Sequence, residues 1–207
     1  MLNINPDHLV GKGLHREVYR HPEDSTKCLK LVIQDNAREN SGDEETLREQ
    51  AYYNTLIKRR ISWGALPQFY GNIDTNLGSA AIFDLVCDHD GSVANTLEHY
   101  LSQEELTQQN LSGLIQAMKD LKTTLIADSI VTMTIKPKNI VYQKTSATQG
   151  RLLIIDNIGN SDFLPIANHI GLLARLKTKR KWQRFEASIL AMANNTAAHS
   201  IVVDSRI

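Results

Sequence analysis

The run Ile130-Val-Thr-Met-Thr-Ile-Lys-Pro-Lys-Asn-Ile-Val141 constrains this chain more than any other stretch. Its apolar entry calls for burial, and its Lys136-Pro137 step marks a turn. Asn139 stands where the chain re-enters a β run. Residues 140–142 and 152–155 bracket a polar turn at 145–150 and read as a hairpin. Asp156 leaves the second run toward Gly159. An Asp leaving a buried strand into a glycine-containing turn suits a magnesium ligand; it equally suits a turn former.

The rest of the chain supplies a core around this run. The 207 residues suit one large domain or two small lobes. Apolar residues make up 42% and charged residues 22%, ordinary for a globular protein. The formal net charge is zero, so no global field favours nucleic acid or an anionic membrane, and any steering is local. Cys28 and Cys87 lie far apart without a spacing motif, which reads as buried thiols in a reducing cytosol. The start, Met1-Leu-Asn-Ile-Asn-Pro, lacks the basic and apolar regions of a signal peptide. No window is long and apolar enough for a transmembrane helix, so the expected location is the cytoplasm.

Ahead of the central run, Leu9-Val-Gly-Lys-Gly-Leu-His-Arg-Glu-Val-Tyr19 reads as strand, Gly-rich turn, strand. Gly11 and Gly13 let a backbone approach a phosphate; the same pattern makes a plain hairpin. Lys30 sits in the apolar strand Lys27-Cys-Leu-Lys-Leu-Val-Ile33. It is either a solvent-facing position or an ammonium with a partner. Residues 44–58 are spaced as a helix with Leu47, Ala51, Leu56 and Ile57 on a shared face. Glu49 on that helix could reach Lys30, or be a solvated charge.

Residues 78–87 read as a buried strand, and Asp88-His-Asp-Gly-Ser92 breaks it, which divides the chain into lobes at 1–87 and 88–207. Thr96 is a plausible N-cap for a short helix. Residues 111–127 form the clearest helix, with Leu114, Ile115, Met118, Leu121, Leu125 and Ile126 facing a core. A last helix spans about 168–193, where Leu172, Leu173, Leu176, Trp182, Phe185 and Ile189 oppose a basic set of Arg175, Lys177, Lys179, Arg180, Lys181 and Arg184. That set is a solvated face or a docking patch for a phosphate-bearing or acidic protein partner. The tail from Asn194 reads as small and polar, then briefly apolar.

The order of these parts resembles protein-kinase-like enzymes from Leu9 to Gly159. The whole chain resembles, more narrowly, the bacterial YrbL family of PhoP regulatory network proteins. Residues 130–141, Asp156-Asn-Ile-Gly-Asn160, His21-Pro-Glu-Asp24 and Ala51-Tyr-Tyr53 carry that closer likeness. The resemblance implies an α+β, bilobal, protein-kinase-like fold: an N-terminal antiparallel sheet with one helix, and a reduced, mostly helical C-terminal lobe. It implies ATP and Mg²⁺ as ligands. Gly11 and Gly13 would cover phosphates, with Arg16 at the third glycine position, and Val18 would pack on adenine. Lys30 would bind phosphates with Glu49 as its partner. Asp84 to Cys87, Val86 included, would form the adenine hinge. Lys136 would neutralise transferred phosphate, and Asn139 and Asp156 would hold magnesium.

The departures define the functional alternatives. Thr132, Met133 and Thr134 replace His-Arg-Asp, so Thr134 stands at the catalytic Asp position. A hydroxyl cannot accept a proton at neutral pH as a carboxylate does, and such a base is worth about 10²–10⁴ in rate. Asp156-Asn-Ile-Gly159 replaces Asp-Phe-Gly, and no Ala-Pro-Glu follows. The first reading is a nucleotide-binding regulatory protein of pseudokinase type. The second is an atypical enzyme acting on a small molecule or a protein by phosphoryl or nucleotidyl transfer, with Asp128 or Asp162 as substitute carboxylate. The third is a scaffold acting through the basic helix.

Overall fold

A five-stranded sheet cannot bury both its faces alone, and the chain covers it with a helix on one side and its own N-terminus on the other. The computed structural model describes residues 1–33, 41–159, 171–192 and 195–206. The chain divides into two units, residues 1–60 with 67–86, and residues 61–66 with 87–207. Among the described residues the architecture is α+β.

The first unit is an antiparallel sheet of five strands. These are β1 (Leu9–Lys12), β2 (Arg16–Arg20), β3 (Lys27–Val32), β4 (Phe69–Thr75) and β5 (Gly78–Asp84), in the order β1-β2-β3-β5-β4. Period-2 alternation sorts β3 onto two faces. Leu29 and Leu31 join Tyr19, Ala80, Leu2 and Ile4 in one apolar cluster. Cys28, Lys30 and Val32 point the other way, toward the helix α1 (Ser41–Arg59). Tyr53 of α1 meets Phe83 of β5 edge to face at 5.2 Å. Gly42 permits the close approach of α1: a Cβ there would lie 2.8 Å from Val32 Cγ1.

The face that α1 buries differs from the expected one. Leu47 and Ile57 are 67% and 41% exposed, and Ala51 is exposed too. Leu56 is buried as expected, and with it Glu49, Tyr52 and Tyr53, spaced i, i+3, i+4, i+7. Two tyrosine rings bring more apolar area than one leucine, and Glu49 is admitted to the interior because a cation meets it there.

The second unit is mostly helical. It contains α2 (Leu97–Leu101), α3 (Glu104–Gln109), α4 (Leu111–Ala127), the hairpin β6 (Ile140–Lys144) and β7 (Gly150–Ile154), α5 (Gly171–Leu190) and α6 (Thr196–Asp204). Thr96 caps α2, its hydroxyl oxygen accepting from the His99 amide at 3.2 Å. Leu114, Met118, Leu121 and Leu125 of α4 are buried, as the spacing predicts, while Ile115 and Ile126 are half-buried. Gly113 lets α4 approach β6, since a Cβ there would lie 2.2 Å from the Tyr142 hydroxyl.

Two features of this unit depart from the sequence reading. Leu172, Leu173 and Leu176 are 68%, 42% and 56% exposed, so the apolar side of α5 is carried by Ala174, Trp182, Phe185 and Ile189. The tail is not irregular but forms α6, which buries Ala197, Ala198, Ile201 and Val202. Asn195 caps it by accepting from the Ala198 amide at 2.8 Å, and also donates to the Leu101 carbonyl at 3.0 Å and Thr107 Oγ1 at 2.8 Å. Asn168 lies outside the described residues. So does Asp162.

A buried carboxylate ties the helices together. Glu186 of α5 accepts from Lys122 Nζ of α4 at 3.2 Å, from Trp182 Nε1 at 2.7 Å, and from Arg206 Nε and Nη2 at 3.0 and 2.8 Å. Burial pushes the Glu186 carboxyl up, but the bonds from Arg206, Trp182 and Lys122 outweigh it and hold it below the usual carboxylate range. No helix among the described residues is long and apolar enough to cross a membrane.

Glu186→Ala leaves the buried Trp182 Nε1 without its acceptor and should cost about 1–3 kcal/mol in urea unfolding at neutral pH. Because the folded pKa is depressed, the contribution is present above the unfolded carboxylate range and is lost as pH falls through the folded value. The gap between wild type and variant should therefore narrow on acidification; a gap that widens would contradict this assignment.

Candidate functional site

In the first unit the Gly-rich turn is closed by one backbone bond, Gly13 N–H to the Arg16 carbonyl at 2.8 Å. Neither Gly11 nor Gly13 has a positive φ, and a Cβ at Gly11 would meet nothing within 4 Å. The strand there is open to approach. In the β2–β3 register Arg16 faces Val32 and Val18 faces Lys30, while Lys30 faces Ala81 of β5. Directly opposed residues share a face, so Val18 and Lys30 stand side by side.

The expected Lys30–Glu49 ion pair is not the one that forms. Glu49, 2% exposed, takes Arg16: Nη1 of Arg16 donates to Glu49 Oε2. Lys30 Nζ stands over the Phe83 ring, 4.3 Å from its centroid, a cation–π contact. Glu49 Oε1 is buried with no hydrogen-bond partner among the described residues.

Asp84, expected at a hinge, works inside the sheet. Its carboxylate accepts from the Gln68 amide and the Tyr70 hydroxyl, both at 2.8 Å. Its amide donates to the Gln68 carbonyl at 3.1 Å, and its carbonyl accepts from Cys28 Sγ at 3.5 Å. Burial, then the bond to Asp84, pushes the Tyr70 phenol up to about 12. Val86, half-buried, ends the unit.

The second unit holds the central run against the turn after β7. Gly159 N–H donates to the Val131 carbonyl at 2.9 Å, and Met133 N–H to the Asn157 carbonyl at 2.7 Å. Thr132 and Ile158 form the antiparallel bridge between them, and both are buried. Asn157 adopts a left-handed conformation with φ 62°, and Gly159 has φ 108°. Helix α5 fixes the same stretch from behind. Thr178 Oγ1 donates to the Ile130 carbonyl at 2.8 Å, and Lys181 Nζ donates to the carbonyls of Thr132 and Met133. Arg175 Nε reaches Ser129 Oγ at 3.2 Å. Part of the basic set on α5 is thus employed inside the unit, while Lys179, Arg180 and Arg184 are exposed.

Past this anchor the chain opens to solvent. Thr134 and Lys136 are exposed around a buried Ile135. A 3-10 turn at Pro137–Asn139 follows, its Asn139 amide donating to the Lys136 carbonyl at 2.9 Å. The Ile155 amide donates to the Asn139 carbonyl at 2.9 Å, which sets Asn139 alongside the residue preceding Asp156. Asn139 is 6% exposed, and its side-chain Nδ2 has no hydrogen-bond partner among the described residues. Asp156 is half-buried, with Oδ1 accepting from the Asn157 amide at 2.9 Å.

The unpartnered Nδ2 of Asn139 is an N–H donor, which an oxygen of a ligand could satisfy and a cation could not. A Mg²⁺ ion would instead be held by the side-chain oxygens of Asn139 and Asp156, since it keeps several waters and needs only one or two protein ligands. Among the described residues no cluster of three or more His, Cys, Asp or Glu could form an all-protein metal cage. Asp128 Oδ2 accepts from Ser62 N at 3.3 Å and Ser62 Oγ at 2.8 Å, holding residues 61–66 to this unit. Sequence reasoning missed the structural work of Lys181 and Thr178. The available signal was their i, i+3 spacing on α5.

Lys181→Met removes the donor to two buried-side carbonyls. It should cost about 1–3 kcal/mol and should speed amide exchange at Met133 and Gly159 more than at Leu121. Unchanged exchange at those two amides would exclude a clamp.

Comparison with known proteins adds one line of information. The family model for PhoP regulatory network protein YrbL matches residues 2–190. The Escherichia coli (strain K12) protein named "Uncharacterized protein YrbL" is 34% identical over 187 residues, covering 90% of this chain and 87% of that one. The protein of the same name from Shigella flexneri matches to the same extent.

Proposed function

We propose, from the premise that the chain belongs to the family of PhoP regulatory network protein YrbL, that it is a kinase-like regulatory protein that binds ATP with Mg²⁺ and does not transfer the γ-phosphate. The observation that carries this reading is the Ile155–Asn139 backbone bond, which sets buried Asn139 alongside the residue preceding Asp156 and so brings together two oxygen-bearing side chains, while Asn139 Nδ2, a donor with no hydrogen bond among the described residues, could meet a phosphate oxygen.

Each unit, taken by itself, carries residue types suited to this ligand. Asn139 and Asp156 would hold the ion, which when bound supplies charge neutralisation to phosphate oxygens. In the first unit, Gly11 and Gly13 leave an open strand edge for phosphates, Val18 offers an apolar surface for a base, and Lys30 beside it brings a cation. Phosphoryl transfer depends on positioning and electrostatics more than on covalent chemistry, and these are the parts present. The acceptor side is poorer. Thr134 is exposed and carries no carboxylate. Lys136 is exposed two residues later and would meet a phosphate without a base to activate an acceptor.

Thermal unfolding with and without ATP–Mg²⁺ tests binding: ligand at about 100-fold over its Kd stabilises by about 2.7 kcal/mol. Asn139→Ala and Asp156→Ala should lose the Mg²⁺-dependent part of the shift, and γ-labelled ATP should yield neither labelled protein nor labelled inorganic phosphate. Steady wild-type turnover would overturn the non-transferring reading, and no shift at millimolar ATP would overturn binding. A Thr134→Asp variant that gains label transfer would show that the missing carboxylate was the limiting part.

A further inference from the structure

We infer that the exposed face of α5 over residues 172–184 is a docking surface for an acidic protein segment, one that presents an apolar side chain followed by two or more Asp or Glu residues. This concerns the second unit alone and stands apart from the nucleotide reading.

Helix α5 has one side committed and one side open. Ala174, Thr178, Trp182, Phe185 and Ile189 are buried and hold it in the unit. The other side faces solvent. Leu172, Leu173 and Leu176 are 68%, 42% and 56% exposed, and Lys179, Arg180 and Arg184 are exposed beyond them. At 3.6 residues per turn these six side chains fall within an arc of about 140°. A single exposed leucine needs no explanation, but three together on one arc make a patch of the kind that marks an interaction site.

The charge names the partner. The one acidic residue of α5 is Glu186, which is buried and bound to Lys122 and Arg206. The open side therefore carries positive charge only, in a chain of zero formal net charge. Its complement is acidic. Order along the axis adds to this. The leucines occupy the first turns and the cations follow, over about 18 Å from Leu172 to Arg184 at 1.5 Å per residue. A partner has to present its groups in the same succession. Lys179 and Arg180 diverge by about 100° around the helix, and Arg184 stands one turn past Arg180. Cations spread in this way suit separate carboxylates rather than one phosphate. A lipid surface fits less well, because a helix lying in a bilayer interface puts its apolar and basic residues on opposite faces. Here they share a face, and the opposite one is packed inside the unit.

Panning random 12-residue peptides displayed on phage against the immobilised full chain tests this, followed by fluorescence anisotropy with the enriched peptide in synthetic form. Enriched peptides should pair an apolar residue with at least two Asp or Glu residues. Leu176→Ser and the double variant Arg180→Glu/Arg184→Glu should each weaken binding by about tenfold or more, and added salt should weaken it too. Lys119→Glu, an exposed cation on α4, should change it by about threefold or less. All these positions are exposed, so each variant should keep the wild-type Tm. No enrichment, enriched peptides without acidic residues, or an affinity indifferent to both α5 variants would overturn the proposal. So would sedimentation of the wild type with phosphatidylserine vesicles that is lost in the same variants, which would make this face a lipid contact.

Discussion

The second unit depends on one short backbone pairing. Val131 and Met133 exchange hydrogen bonds with Gly159 and Asn157, and Thr132 bridges Ile158. Val131, Thr132 and Ile158 of this bridge are buried, where an unmade backbone bond is expensive. The pairing needs a left-handed residue and a positive-φ glycine at its far side, and Asn157 and Gly159 provide them. Helix α5 completes it, with Lys181 and Thr178 satisfying carbonyls that the bridge leaves over. Everything downstream inherits this anchor: the 3-10 turn, the burial of Asn139 and the place of Asp156.

The anchor explains why the central run reads as two halves with different prospects. Residues 130–133 are locked by backbone and by α5, so the side chains there serve structure. Residues 134–139 are released from the bridge, and their side chains divide between solvent and a buried amide. A Lys that caps carbonyls does the holding here.

Local periodicity made much of this legible. Helix α4, the β6–β7 hairpin and the Thr96 cap follow from spacing and turn chemistry alone, because each depends on residues near in sequence. What failed depends on distant partners. Glu49 was readable as a surface charge because nothing near it reveals Arg16, 33 positions away. The association of residues 61–66 with the second unit rests on Ser62 meeting Asp128, 66 positions on. The exposure of Leu172, Leu173 and Leu176 shows the same limit, since an apolar stripe says which residues could be buried and not which part of the helix has a neighbour. Helix α6 was missed for another reason: Ala197, Ala198, Ile201 and Val202 make a narrow face on a short element, and its stability comes from Asn195 bonding Leu101 and Thr107. In the candidate site, residue types were legible, but the cation that meets Glu49 and the unpartnered amide of Asn139 were not.

The central claim is that Asn139 and Asp156 are oxygen donors for a divalent cation that arrives with a nucleotide. Water-proton relaxation with Mn²⁺ in place of Mg²⁺ reads this directly. The account predicts strong relaxation enhancement when ATP is added to wild type with Mn²⁺, and loss of that enhancement in both Asn139→Ala and Asp156→Ala while each variant stays folded. Enhancement that survives both substitutions, or that never appears with wild type, would contradict it.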